Sequence, residues 1–293
     1  GGSAQGTYYG FITLKQLLAQ FGPNLEQGRI KDWPDFEHRG VMHDIGRMKI
    51  PKVETILRII DLISDLKINQ FQLYMEGYCF EYDRYKSEWP DATPLTKQEM
   101  ELIDRYARER FVELVPNQNS FGHMAVWLNK ESFRHLSEMP EHEPNAGSTL
   151  DPNHPGSLEL VCNLFDELLP HFQSDLVNIN FDEPFELGKG KSKPLCEERG
   201  LAHVYVDFFL KVYEHLSRHG KKVMIWGDVL LNHPEILERL PKDIVLLDWG
   251  YEGHYNTFEL HGEALRNAGI AFYFCPGTSA WHSLSGRTDN MLQ

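Results

Sequence analysis

Short apolar runs alternate with amphipathic helical stretches along nearly the whole chain, and this alternation constrains the fold more than any other feature. The runs fall at 40–45 (GVMHDI), 69–75, 111–116 (FVELVP), 175–181 (DLVNINF), 222–226 (KVMIW), 244–249 (IVLLDW) and 270–275 (IAFYFC). Between them the spacing predicts helices over 51–66, 96–110, 155–172, 201–219, 234–240 and 258–268. In the first, Val53, Ile56, Ile59, Ile60 and Ile63 line one face. Thr96 with Glu99 three residues on forms a capping box, and Gly220 and Gly269 stand where helices should end. Continuous apolar strands separated by helices imply a parallel sheet covered on both faces. Seven such repeats point to a TIM-type (β/α)8 barrel. No Gly-rich phosphate loop follows the first run, which disfavours a dinucleotide-binding sheet. A closed barrel needs eight strands, and the eighth is not legible: the tail from Gly277 reads as a loop. The expectation is therefore a barrel over 11–293, incomplete at its C-terminal end, preceded by a linker or extension over 1–10. Strand eight is then absent, or replaced by Thr7–Gly10 or another chain.

Net charge is −14, from 29 Lys and Arg against 43 Asp and Glu, which argues against nucleic acid or an anionic membrane surface as the main partner. No apolar run reaches the length of a membrane span. The start, GGSAQG, reads as a linker or scar, so the compartment stays open: a soluble protein, cytoplasmic or secreted with its leader removed. Cys79, Cys162, Cys196 and Cys275 stand far apart without a CxxC pair, and they read as independent thiols. Neither a metal site nor a cofactor is expected. His135, His142 and His154 read as exposed.

In this architecture chemistry collects where strands end. Strand one ends in Asp44 and Arg47, with Arg39 before it. Strand two leads to Glu76 and Tyr78, and strand three to Asn117, Asn119 and His123. Asp182-Glu183 follows strand four, Trp226 and Asp228 strand five, and Trp249, Tyr251 and Glu252 strand six. Thr278 and Trp281 follow strand seven. Ionisable and aromatic groups thus share one rim. Carboxylates held together raise one another's pKa, so that one serves as an acid while the other stays ionised. Asp182-Glu183 is the candidate pair, and the competing reading makes Asp-Glu-Pro a helix start. Trp226, Trp249 and Trp281 can wall a sugar, whose CH-rich face packs on rings, or can simply fill the core.

At these residues the sequence resembles glycoside hydrolase family 20, the β-N-acetylhexosaminidases. TYYGFITLKQLL resembles the segment leading into that family's barrel, and PDFEHRGVMHDIGR its first-strand motif. PNQNSFGH, NINFDE and VMIWGD resemble the motifs of strands three, four and five. The resemblance spans the chain in order. It implies an exo-acting, retaining glycosidase on N-acetylhexosamine-terminated glycans, in which the substrate's own 2-acetamido oxygen is the nucleophile and an oxazolinium ion the intermediate. It gives Glu183 the acid/base role and Asp182 the task of orienting the acetamide. Arg39 would bind sugar hydroxyls, His123 would tune Glu183, and Trp residues would wall the acetamide methyl. Glu76, Trp226, Asp228, Trp249, Tyr251 and Trp281 would complete the sugar site, with Tyr251 or Tyr273 on the acetamide oxygen. The chain departs from the family at Asn178-Ile179-Asn180-Phe181, where His-x-Gly-Gly is usual. It departs again at Asn117 and Asn119, which replace acids, and at Glu76, which replaces an Asp pair. These mark a divergent subgroup. The other classes in play are a glycosidase of another acetamido-sugar family using an Asp-Glu pair and a non-catalytic sugar binder on the same barrel.

Overall fold

In the computed structural model, residues 2–47, 49–141, 147–251 and 255–277 are described. Elements follow in the order α1 (Ala4–Phe21), β1 (Gly40–Asp44), α2 (Val53–Asp65), β2 (Gln70–Tyr74), α3 (Lys97–Arg108), β3 (Glu113–Val115), α4 (Ala125–Leu128), α5 (Glu131–Arg134), α6 (Pro155–Leu168), β4 (Leu176–Asn178), α7 (Lys193–Arg199), α8 (Leu201–Arg218), β5 (Lys222–Trp226), α9 (Asp228–Leu231), β6 (Val245–Gly250), α10 (Tyr255–Asn267) and β7 (Ala271–Pro276). All strand pairs are parallel, in the orders β1-β2-β3 and β4-β5-β6-β7. A parallel bridge from Asn117 to Asn178 joins the two sheets. The strands thus follow one another in sequence order, as in a TIM barrel, and seven are present among the described residues.

Each buried surface follows from the strand pattern. β2 is buried at every position, because it meets helices outside and barrel filling inside. The main core lies between strands and helices, where Ile56, Ile60, Phe71, Ile103, Leu164, Val177, Phe209 and Ile225 are fully buried. A smaller cluster of Val115, Met224, Trp226, Val245 and Leu247 fills the barrel interior.

The expected linker over 1–10 is helical from Ala4 onward, capped by the Ser3 side chain on the Gly6 N–H. Its apolar residues form no strong stripe, and Ile12 is its one buried residue. The helix is fixed by polar and aromatic contacts instead. Tyr8 shares a 2.8 Å hydrogen bond with Ser64 at the end of α2 and packs on Phe111 beyond α3. Thr7–Gly10 therefore supplies no strand. The capping box opens α3 as the sequence requires: the Thr96 hydroxyl accepts from the Glu99 N–H, and the Glu99 carboxylate accepts from the Thr96 N–H.

Strand four leaves the ladder at Asn178, three residues before the expected Phe181. Asn180 and Phe181 adopt φ of 58° and 70°, a left-handed conformation that ends regular pairing. The Phe181 ring anchors this turn among Phe121, Tyr205 and Phe208, with centroids 4.8–5.5 Å away.

Candidate active site

The exit ends of β1–β5 deliver one cluster of charged groups. His123 is its hub. Its Nδ1 lies 3.1 Å from Glu76 Oε1, and its Nε2 lies 3.3 Å from Asp182 Oδ2 and 3.1 Å from Glu183 Oε2. Burial works against a charged imidazole, but the hydrogen bonds to Asp182, Glu183 and Glu76 outweigh it and push the His123 pKa up to about 12. Burial likewise opposes ionisation of Glu76, yet its bonds to His123 and the charge of Arg47 hold its carboxyl below the ordinary value. The divergent Glu76 thus still anchors the histidine.

Arg47 adds the second cation. It pairs with Glu76 at 2.8 Å and with Asp44, and its guanidinium lies 5.0 Å from the Tyr74 ring centroid. Tyr74 donates to Glu76 Oε1 at 2.9 Å. Arg39, the expected sugar ligand, stands at the other end of β1. Its Nε and Nη2 donate to the Lys67 carbonyl, and its Nη1 donates to the carbonyls of Phe36 and Glu37. Those four bonds brace the opposite rim, and the arginine that stands in the carboxylate cluster is Arg47. The signal was present in the sequence: Arg47 follows strand one, whereas Arg39 precedes it.

Backbone geometry builds the pair Asp182-Glu183. Glu183 has φ 48° and His123 φ 55°, both left-handed without being glycine. Two contacts hold these conformations. The Glu183 N–H donates to Asp228 Oδ2 at 3.0 Å. Gly122 packs so tightly on the next loop that a Cβ there would stand 2.0 Å from the Asp182 carbonyl oxygen. Asp228, expected as a sugar ligand, fixes the Glu183 backbone through its Oδ2, while its Oδ1 is buried without a hydrogen-bond partner. Burial is the main cause that pushes the Asp228 carboxyl up to about 6. The Glu183 N–H works against it, and the charges of Asp182 and Glu183 add to it. Asp182 Oδ1 is buried without a hydrogen-bond partner.

The asparagines that replace the usual residues form a neutral network inside the barrel. Asn117 and Asn178 both donate to Gln72 Oε1, at 3.1 and 2.9 Å. Asn180 donates to Asn117 Oδ1 at 2.8 Å and accepts from Trp226 Nε1 at 2.9 Å. This ladder links β2, β3, β4 and β5 and tethers the Trp226 indole by its N–H. Asn119 turns instead to the Met75 carbonyl. Trp249 and Tyr251 extend the wall, with ring centroids 5.4 Å apart. Burial above all holds the Tyr251 hydroxyl above its ordinary pKa, with the charge of Arg47 opposing and those of Glu183 and Asp182 adding, in keeping with its place after β6 on this rim. Tyr273 does not reach it: its ring stacks 5.2 Å from His38 at the strand-entry end. Trp281, Glu252, Thr278 and His142 lie outside the described residues. His135 is exposed as expected, while His154 is half-buried and caps α6 through its Nδ1. Among the described residues no helix is long and apolar enough to cross a membrane.

A cluster of this composition at the strand-exit rim of a parallel barrel defines a class, and comparison with known proteins gives the family. The model of glycosyl hydrolase family 20, catalytic domain, matches residues 36–286. The chain belongs to glycosyl hydrolase family 20. It is 28% identical over 271 residues to a beta-hexosaminidase of Porphyromonas gingivalis, covering 78% of this chain and 34% of that relative. It is 25% identical over 304 residues to a lacto-N-biosidase of Bifidobacterium bifidum, covering 99% of this chain and 26% of that one. It therefore spans well under half the length of either. Among solved structures, a chitobiase of Flavobacterium johnsoniae superposes with a TM-score of 0.75 at 24% identity, over 93% of this chain and 43% of that one. A beta-N-acetylhexosaminidase from Bacteroides fragilis gives 0.75 at 22% identity, over 94% and 61%. These two likenesses bear on the fold, and the fold is the TIM barrel.

Proposed function

We propose that this chain is the catalytic barrel of an exo-acting, retaining β-N-acetylhexosaminidase that removes terminal N-acetylglucosamine or N-acetylgalactosamine from glycans by substrate-assisted catalysis. The observation that carries the proposal is the division of labour across Asp182. Its Oδ2 is held by His123, while its buried Oδ1 has no donor. A buried carboxylate oxygen without a donor is costly, and the N–H of a substrate acetamide supplies one.

In the first step the acetamide carbonyl oxygen attacks C1 and the C1–O bond to the leaving group breaks. Glu183 gives its proton to the departing oxygen. Positive charge grows on the acetamide nitrogen, beside Asp182. In the second step water attacks C1, the bond to the oxazolinium oxygen breaks, and Glu183 takes the water proton. His123, charged across the working range, keeps both carboxylates in register. Trp226 and Trp249 wall the methyl group, Tyr251 reaches the acetamide oxygen, and Arg47 takes the sugar hydroxyls.

The whole protein should hydrolyse p-nitrophenyl N-acetyl-β-glucosaminide or its galactosaminide counterpart, and a thiazoline mimic of the oxazoline should inhibit it. Full turnover in Asp182→Asn, together with no inhibition by the thiazoline, would overturn the substrate-assisted route.

A further inference from the structure

Far from the strand ends, on the outer layer of the barrel, α8 carries His215 and His219 four residues apart. This spacing puts both rings on one face of the helix, with centroids 5.0 Å apart. Asp166, near the end of α6, faces them. Both imidazoles turn the same atom toward it: Nε2 of His215 lies 2.7 Å from Asp166 Oδ1, and Nε2 of His219 lies 3.0 Å from that same oxygen.

We propose that Asp166, His215 and His219 form a site for a borderline divalent transition-metal ion such as Zn²⁺, joining helices α6 and α8. The argument rests on convergence. One ligand atom from each residue lies within 4.8 Å of the others, which is the geometry three donors need to share one ion. Two His at i and i+4 with a carboxylate from a neighbouring element is a donor set suited to zinc, with solvent completing the tetrahedron. Ligands about 2.0–2.1 Å from a tetrahedral ion stand roughly 3.3–3.5 Å from one another. The observed spacings of 2.7 and 3.0 Å thus need only a sub-ångström opening, which side-chain rotation provides. The three side chains are 34%, 23% and 43% exposed, so an ion reaches them directly from solvent. The convergent donor atoms among the described residues come from these three side chains. Because α6 and α8 pack on each other, an ion here would tie the two directly. The site is remote from Asp182-Glu183, so its role is structural.

The test uses the whole protein, free of any histidine tag and stripped with EDTA. Zinc chloride is measured by equilibrium dialysis, and cobalt(II) by its visible absorption. The wild type should hold one equivalent more zinc than His215→Ala/His219→Ala and show tetrahedral cobalt bands that the double variant lacks. Asp166→Asn and His219→Gln, each conservative and on the surface, should weaken zinc binding by roughly tenfold or more. Zinc should raise the thermal midpoint of the wild type and leave that of the double variant unmoved, with hydrolysis equal in both. Equal zinc content in wild type and double variant, or cobalt spectra that do not differ, would overturn the site.

Discussion

The two rims of this barrel use left-handed backbone in opposite ways. At the helix-exit rim the chain repeats one motif four times. After α2, α3, α8 and α10, the residues Lys67, Phe111, Gly220 and Gly269 have φ of 56–70°. In each case the next N–H reaches back to close the helix: Ile68 to Ile63, Val112 to Ala107, Lys221 to Leu216 and Ile270 to Leu265. Glycine fills two of these positions and a larger residue the other two, so the motif tolerates substitution at a modest cost. At the strand-exit rim, His123, Asn180, Phe181 and Glu183 are left-handed with no repeated motif. Each is fixed by a different neighbour: Gly122 against Asp182, the Asn180 ladder, the Phe181 aromatic cage, and Asp228 under Glu183. Strain at the first rim is generic and ends helices. At the second it is particular and aims side chains.

Perturbations of the two rims should therefore differ in kind. Glu183→Gln should cut kcat by about two to four orders of magnitude while leaving the thermal midpoint nearly unchanged, measured by chromogenic assay and calorimetry. Gly122→Ala should both unfold more easily and lose most activity, because the added methyl must displace the Asp182 carbonyl. The two arginines give the cleanest contrast. Arg47→Ala should lower kcat/KM by about tenfold to a hundredfold, in keeping with about 1.4 kcal/mol per decade, whereas Arg39→Ala should leave kcat/KM near wild type and cost about 1–2 kcal/mol of stability. Equal kinetic effects of the two would erase the distinction between rims.

Asp228 gives a pH-dependent test. Its folded pKa of about 6 lies above its ordinary 3.8. Its contribution to stability is therefore fully present below the unfolded value and is lost as pH rises through 6. Asp228→Asn keeps an acceptor for the Glu183 N–H and removes that titration. Its thermal midpoint relative to wild type should then rise between pH 4 and pH 7, and a midpoint difference constant across that range would refute the assignment. The smallest effect is expected at the helix-exit rim. Lys67→Gly should change stability by no more than about 1 kcal/mol in chemical denaturation, as relief at a left-handed position offsets the lost ion pair with Asp32.

Much of this arrangement was legible beforehand because it rests on short-range patterns. Strand five matches residue for residue at Lys222–Trp226, where β-branched and apolar residues end at a Gly. The capping box at Thr96 is as local as a signal can be. Asp182, Glu183, Glu76, His123 and Tyr251 meet at one rim because strand ends in a barrel must. What escaped depends on distance in space. Arg39 and Arg47 differ by eight residues and by the full length of a strand, and residue type alone does not say which end of β1 bears the sugar. The position of Asp228 after strand five points to the sugar, and only the folded chain reveals its contact with the Glu183 backbone. Asn117 reads as the loss of an acid, yet an amide both donates and accepts, so with Asn178 and Asn180 it closes a ladder that an acid could not. Helix α1 has too weak an apolar stripe to announce itself, being held by Tyr8 and Lys15 rather than by a buried face.

The contact at Gly122 bears on how this barrel can be rebuilt. Since the loop after β3 leaves no room for a methyl group against the loop after β4, the two behave as a single cassette. A graft that transplants the Asp-Glu loop onto a related scaffold without its Gly-His partner should deliver the right carboxylates in the wrong orientation. Recombination libraries that cut between residues 123 and 182 should lose function far more often than those that keep both loops from one parent.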